Sequence, residues 1–200
     1  MVVSTIDNTQ AAFLFEVLAV LAVPGPTNSL LFVSGVTRGL RASLNLILAE
    51  LVAYLISISF LVLVIEPASR IHSTVGQLLR ILCSIYLAHM AVWLWRWEEQ
   101  KVQASHPISF RRVFFTTLVN PKNLVFAFLV FPSGAFNGII PYLVSFSVIC
   151  TGVAYGWITT GALLHSTAVH KTHLNWFYRG EACLLASFAI VILISAYYYS

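Results

Sequence analysis

Leu21-Ala22-Val23-Pro24-Gly25-Pro26-Thr27-Asn28 sits in the middle of one apolar run, and Val119-Asn120-Pro121-Lys122 sits in the middle of another, at a matching place in the second half of the chain. Proline inside a helix removes a backbone hydrogen bond and clashes with the preceding turn, at a cost of about 3 kcal/mol or more. Hydrocarbon has no water to satisfy the freed carbonyls, so such breaks persist only where protein or a wet cavity surrounds them. Two breaks at matching places therefore point to a ligand site inside a membrane. Pro67, Pro107, Pro132 and Pro141 fall at or between the ends of apolar runs and only punctuate them.

The surrounding chain supports a membrane setting. Of 200 residues, 59% are hydrophobic and 9% charged, with a mean hydropathy of +0.87. Soluble domains carry roughly 25% charge. A helical span needs about 20 apolar residues, and six runs qualify: 11–33, 42–65, 78–97, 113–131, 140–164 and 182–199. They are too long and too uniformly apolar for barrel strands. The expected fold is an all-α integral membrane bundle of six transmembrane helices, with the first and fourth broken at their prolines. It forms a single transporter domain, 1–200, with nothing substantial left for a soluble part.

Three spans per half is an odd number, so two related halves, about 1–100 and 101–200, must insert with opposite orientation as inverted repeats. Pro26 and Pro121 are 95 positions apart, which fits that pairing. Small residues recur every fourth position in the second span (Asn45, Ala49, Ala53, Ser57) and in the fifth (Gly152, Gly156, Thr160), and each set predicts a close packing face.

The net charge of +4 is dispersed over connections rather than gathered into a nucleic-acid surface. Arg38, Arg41, Arg96, Lys101, Arg111, Arg112, Lys171 and Arg179 flank the first, third and fifth connections; only Arg70 and Arg80 flank the second. The positive-inside rule puts the odd connections in the cytoplasm and both termini outside. No basic n-region precedes the first run, so it reads as a retained span and not a signal peptide. Cys83, Cys150 and Cys183 lie within spans and read as packing residues. Trp93, Trp95 and Trp97 suit an interfacial belt.

Gly25-Pro26 and Asn120-Pro121 each place an N-cap residue before a proline at the first helical position, the mark of a helix start. A restarting helix presents unpaired N–H groups and about half a positive charge, so two starts facing one centre suit a carboxylate. Lys122, about ten residues into a span starting near Arg112, is roughly 15 Å deep. A charge there costs at least about 2.5 kcal/mol and calls for a partner. Glu50, at a similar depth in the second span, is the expected one. Pro24, Gly25, Pro26, Asn28, Glu50, Asn120, Pro121 and Lys122 thus form the candidate substrate site. Glu50 takes a substrate amino group or a coupling proton, and Asn28 donates to a ligand or caps the new helix. Glu16 is nearer the outer surface; Tyr86, Tyr155 and Trp157 read as packing aromatics outside the site.

Val23-Pro24-Gly25-Pro26 followed by Gly35, Arg38 and Gly39, with Asn120-Pro121-Lys122 leading to Phe131-Pro132, resembles the LysE/RhtB family of amino-acid exporters, over nearly the whole chain. The chain departs from that family's habit at Asn45 and Ala49, where glycines are usual, and at His89. The resemblance implies proton-driven efflux of small amino acids or their derivatives across the bacterial inner membrane. The partners are then the amino acid, protons and the bilayer, with a homo-oligomer compatible and no cofactor, metal or catalytic residue expected. Two alternatives remain at this point. A divalent metal exporter would use His165, His170 and His173, and a scaffold subunit would transport nothing. No G-x-S-x-G, H-E-x-x-H or dinucleotide motif suggests an enzyme.

Overall fold

A computed structural model describes residues 8–65, 73–96, 108–131, 138–164 and 172–198, which are almost entirely helical, with no strand among the described residues. Pro67, Pro107, Pro132, Trp97, His165 and His170 lie outside them. The all-helical expectation is met. Helix α1 (Asn8–Ala22) stops just ahead of Pro24, and α2 (Pro26–Ser43) restarts with proline in its first turn and Gly25 extended before it. Their axes differ by 62°. The second break separates α5 (Phe110–Leu118) from α6 (Lys122–Val125), which continues as a π-helix over Phe126–Val130, and the bend there is 48°.

Between the breaks run α3 (Asn45–Phe60), ending in a π-helical stretch Leu61–Ile65, and α4 (Ser73–Trp95). After them come α7 (Ile139–Leu163) and α8 (Thr172–Tyr198). Helix boundaries overrun the apolar runs. Instead of ending at 33, α2 continues to Ser43, folded only at Gly39, whose φ of 76° a glycine adopts without strain. Likewise α8 begins about ten residues before its apolar run, at Thr172. Hydropathy marks the length suited to lipid; hydrogen bonding carries the helix further.

Among the described residues, two helices are long and apolar enough to cross a membrane, Asn45–Leu63 and Ile139–Leu163. Counting each bent pair as one span makes four, and shorter apolar stretches, Arg80–Trp93 and Ala182–Tyr197, lie within α4 and α8.

Helix α2 packs along α7, α3 along α5, α1 along α7, and α4 chiefly along α8. The α2–α7 crossing is backbone on backbone. A Cβ built on Gly35 would strike the Ile158 carbonyl, and one on Gly161 would strike the Phe32 carbonyl. Glycine at both positions lets the axes approach as no larger residue could. On α3 the buried ridge is Leu46, Glu50, Tyr54 and Ile58, and on α7 it is Phe146, Cys150, Ala154 and Ile158, each residue 100 positions after its counterpart.

One expected packing face is wrong. Gly152, Gly156 and Thr160 are exposed on α7, with nothing near either glycine, while the buried seam runs along nearly the opposite side of the helix through Cys150, Ala154 and Gly161. Both faces have small residues at helical spacing, so periodicity alone cannot choose between them. On α3 the expectation holds for Ala49 and Ala53, which are fully buried, but Asn45 is exposed. Cys150 is buried and Cys83 half-buried, whereas Cys183 faces outward and packs nothing. Trp93 and Trp95 are exposed, and the Arg179 guanidinium lies 5.6 Å over the Trp95 ring.

Candidate functional site

The two breaks meet. Thr27, in the first turn of α2, is bonded both to Asn120 of the second break and to Thr117 at the end of α5. The direction of each bond can be assigned, because the Thr117 hydroxyl donates to the Val113 carbonyl at 2.9 Å. Asn120 Nδ2 therefore donates to Thr27 Oγ1 at 3.1 Å, and Thr27 donates in turn to Thr117 Oγ1 at 3.1 Å. Across the same junction, Lys122 Nζ donates to the Val23 carbonyl at 2.5 Å.

Each proline break leaves carbonyls that need donors, and side chains supply them. At the first break, Asn28 Nδ2 donates to both Leu21 O and Val23 O at 2.8 Å. At the second, Asn123 Nδ2 donates to Thr117 O at 2.8 Å and Leu118 O at 3.0 Å. Each asparagine stands two residues after its proline and reaches back to the half-helix before the break. Ser57 of α3 adds a longer bond to Leu118 O, 3.4 Å, and the Tyr86 hydroxyl of α4 donates to Val119 O at 2.9 Å. The expectation for Asn28 is thus corrected. It caps the end of α1 and not the start of α2, because the 62° bend turns its side chain toward the turn it has just left. Tyr86 likewise is more than a packing aromatic, since it satisfies a carbonyl at the second break.

The helix starts differ in chemistry. Gly25 caps α2 with backbone alone, its carbonyl accepting from Ser29 N at 2.8 Å. Asn120 caps α6 with its side chain, Oδ1 accepting from Lys122 N at 3.0 Å.

Of the candidate residues, Asn28, Glu50, Asn120 and Lys122 are all buried, each 4% exposed or less; Gly25 and Pro121 are buried as well, and Pro24 and Pro26 half-buried. Glu50 projects from α3 into Coulombic range of Lys122. Its Oε2 is buried without a hydrogen-bond partner, as is Asn123 Oδ1. Glu16 is exposed on α1, away from this centre. An aromatic chain closes one side of the centre. Tyr54 packs edge-on against Phe126 and Phe146 at 5.8 and 5.6 Å, and Phe146, Phe131, Phe13 and Tyr142 continue it toward the start of α7.

Asn123, Thr27 and Thr117 were not singled out from sequence. A signal existed for the first, since Pro-x-Asn occurs at both breaks with the same 95-residue offset. Nothing comparable marks the threonines, which are common in any membrane helix.

The arrangement brings an ammonium, a carboxyl group and two helix starts to one buried junction. No curated protein and no solved structure matches the chain. The family model LysE type translocator matches residues 18–196 and so takes in both breaks and the eight described helices except the first ten residues of α1 and the last two of α8. With nearly its whole length matched, this chain belongs to the LysE type translocator family.

Proposed function

We propose that the chain exports small amino acids or close derivatives across the bacterial cytoplasmic membrane by proton antiport. The observation that carries this reading is the meeting of two helix breaks around a buried lysine and a buried glutamate. Structure without transport would not require a charged centre there, given the cost of burying charge in lipid. In this reading the substrate carboxylate lies at the start of α2 beside Lys122, and Glu50 takes the substrate amino group or the coupling proton.

The same reading takes the chain as six spans in two inverted repeats with both termini outside. Three features support it. The Pro-x-Asn clamps lie 95 positions apart, and the buried ridges of α3 and α7 lie 100 apart. Under exchange of halves, the α3–α5 packing becomes the α7–α1 packing, and both are present. Growth inhibition by a panel of amino acids and analogues, in cells with and without the protein, names the cargo. Uptake into inverted vesicles tests the coupling. Accumulation should collapse with the proton gradient in the native protein, and Glu50→Gln should abolish that dependence. Accumulation indifferent to both the gradient and Glu50 would rule the antiport out.

A further inference from the structure

We infer that the cleft between α4 and α8 is a seat for one anionic phospholipid, with an acyl chain against its small apolar side chains and the headgroup phosphate held by Arg96 and Arg179. The inference needs only that these two helices cross a membrane. It assigns no part to the cargo or to the junction at the breaks.

Helices α4 and α8 pack side by side in opposite directions. Gln77, near the start of α4, donates to the Ala196 carbonyl near the end of α8 at 3.5 Å, and at the other end of the pair Arg179 lies over Trp95. Beside Trp95 the pair opens into a cleft of about 430 Å³, within the roughly 300–1,000 Å³ of clefts that take small molecules. Small side chains from both helices, Ala91, Ala182, Cys183 and Ala186, line it together with Trp95 and Arg96.

The charges stand where a headgroup would. The apolar stretch of α4 ends at Trp93 and that of α8 begins at Ala182, so Arg96 and Arg179 each lie three residues outside, at the same end of the pair. At 1.5 Å per residue that is about 4.5 Å beyond the apolar edge, the depth of lipid headgroups. Both arginines are exposed, and among the described residues neither is paired with a carboxylate. The Arg179 guanidinium lies 5.6 Å over the Trp95 ring, and Arg96 follows that tryptophan in the cleft wall. A guanidinium presents planar donors that match phosphate oxygens, and a basic pocket between two membrane helices suits an anionic headgroup. A free phosphate would leave the alanine-lined part of the cleft bare, and an uncharged lipid would leave both guanidiniums unmatched. A molecule with an apolar tail and an anionic head fits both.

The test is native mass spectrometry of the purified full chain, titrated with dioleoylphosphatidylglycerol and with dioleoylphosphatidylcholine. The two lipids share tails and phosphate and differ by the choline cation. At about fivefold for each basic residue at the headgroups, two guanidiniums should favour phosphatidylglycerol by roughly 25-fold. Arg96→Gln and Arg179→Gln should each lower that preference by about fivefold, and the double variant should bring it to within about twofold of none. Arg111→Gln takes the same charge from an exposed position at the start of α5 and should leave the preference unchanged. Cys183→Trp, which fills the cleft from an exposed position, should weaken both lipids alike. An excess of inorganic phosphate should not displace the lipid. A preference below about threefold in the native chain, an equal loss in Arg111→Gln, or displacement by phosphate overturns the inference: the first means no headgroup recognition, the second a diffuse attraction, the third a free-anion site. None of these outcomes touches the export reading, which binding and uptake of amino acids decide. Should a variant not fold, the two lipids and the phosphate competition on the native chain decide alone.

Discussion

The two helix breaks solve one backbone problem in the same way and then part company. Each bends a helix at a proline, and each uses an asparagine two residues later to hold the carbonyls left behind. The first restart is capped by glycine and leads into a helix of 18 residues. The second is capped by Asn120, carries Lys122 in its first turn and gives way to a π-helix within four residues. The comparison teaches that the two breaks share what keeps a broken helix hydrogen-bonded, while the buried lysine belongs to the second alone. Two like bends thereby differ in charge.

Lys122→Met should cut deepest into that comparison. It takes away the positive charge facing buried Glu50 and a donor to Val23 O, and breaking a buried pair from one side costs about 3–5 kcal/mol. Transport should be lost, with a matching drop in thermal stability in detergent. Adding Glu50→Gln should restore much of the stability but no transport. If the single variant were as stable as the parent, the charge would not belong to the second break's architecture at all. Gly35→Ala comes next, at about 3 kcal/mol, because the added methyl meets backbone and not a side chain that can turn aside. Equilibrium unfolding would measure it, and a neutral result would mean that α2 and α7 are not locked together. The clamps themselves are then compared directly. Asn28→Leu and Asn123→Leu each strand two carbonyls, for about 2 kcal/mol in stability apiece. Equal losses would confirm a common role; a loss confined to one would show that only that break depends on its clamp. Smallest of all is Gly156→Ala, on the exposed face of α7, with an expected change under about 0.5 kcal/mol. A larger change, with a shift in oligomeric size, would mark that face as an interface between copies.

The breaks were legible because proline acts through the chain itself, whatever surrounds it. Glu50 and Lys122 stood out as charges inside apolar runs, and both are buried in the bundle. What the sequence hides is direction. The asparagine after each proline is visible, but whether it caps the helix ahead or the one behind depends on a bend of 62° or 48° that no periodicity records. The small residues of α7 show the same limit. Glycines at helical spacing mark a face that could be approached, and Gly152 and Gly156 are left bare while Gly161, well round the other side of the helix, takes the contact.

That contact at Gly35 and Gly161 has a mechanical meaning. Two helices from opposite halves touch main chain to main chain, with no side-chain cushion to let either slide, so they must travel as one strut through any working cycle. Any bending of the bundle would then fall to the short arms that precede the prolines, α1 and α5, about the asparagine-held elbows while the strut stays whole.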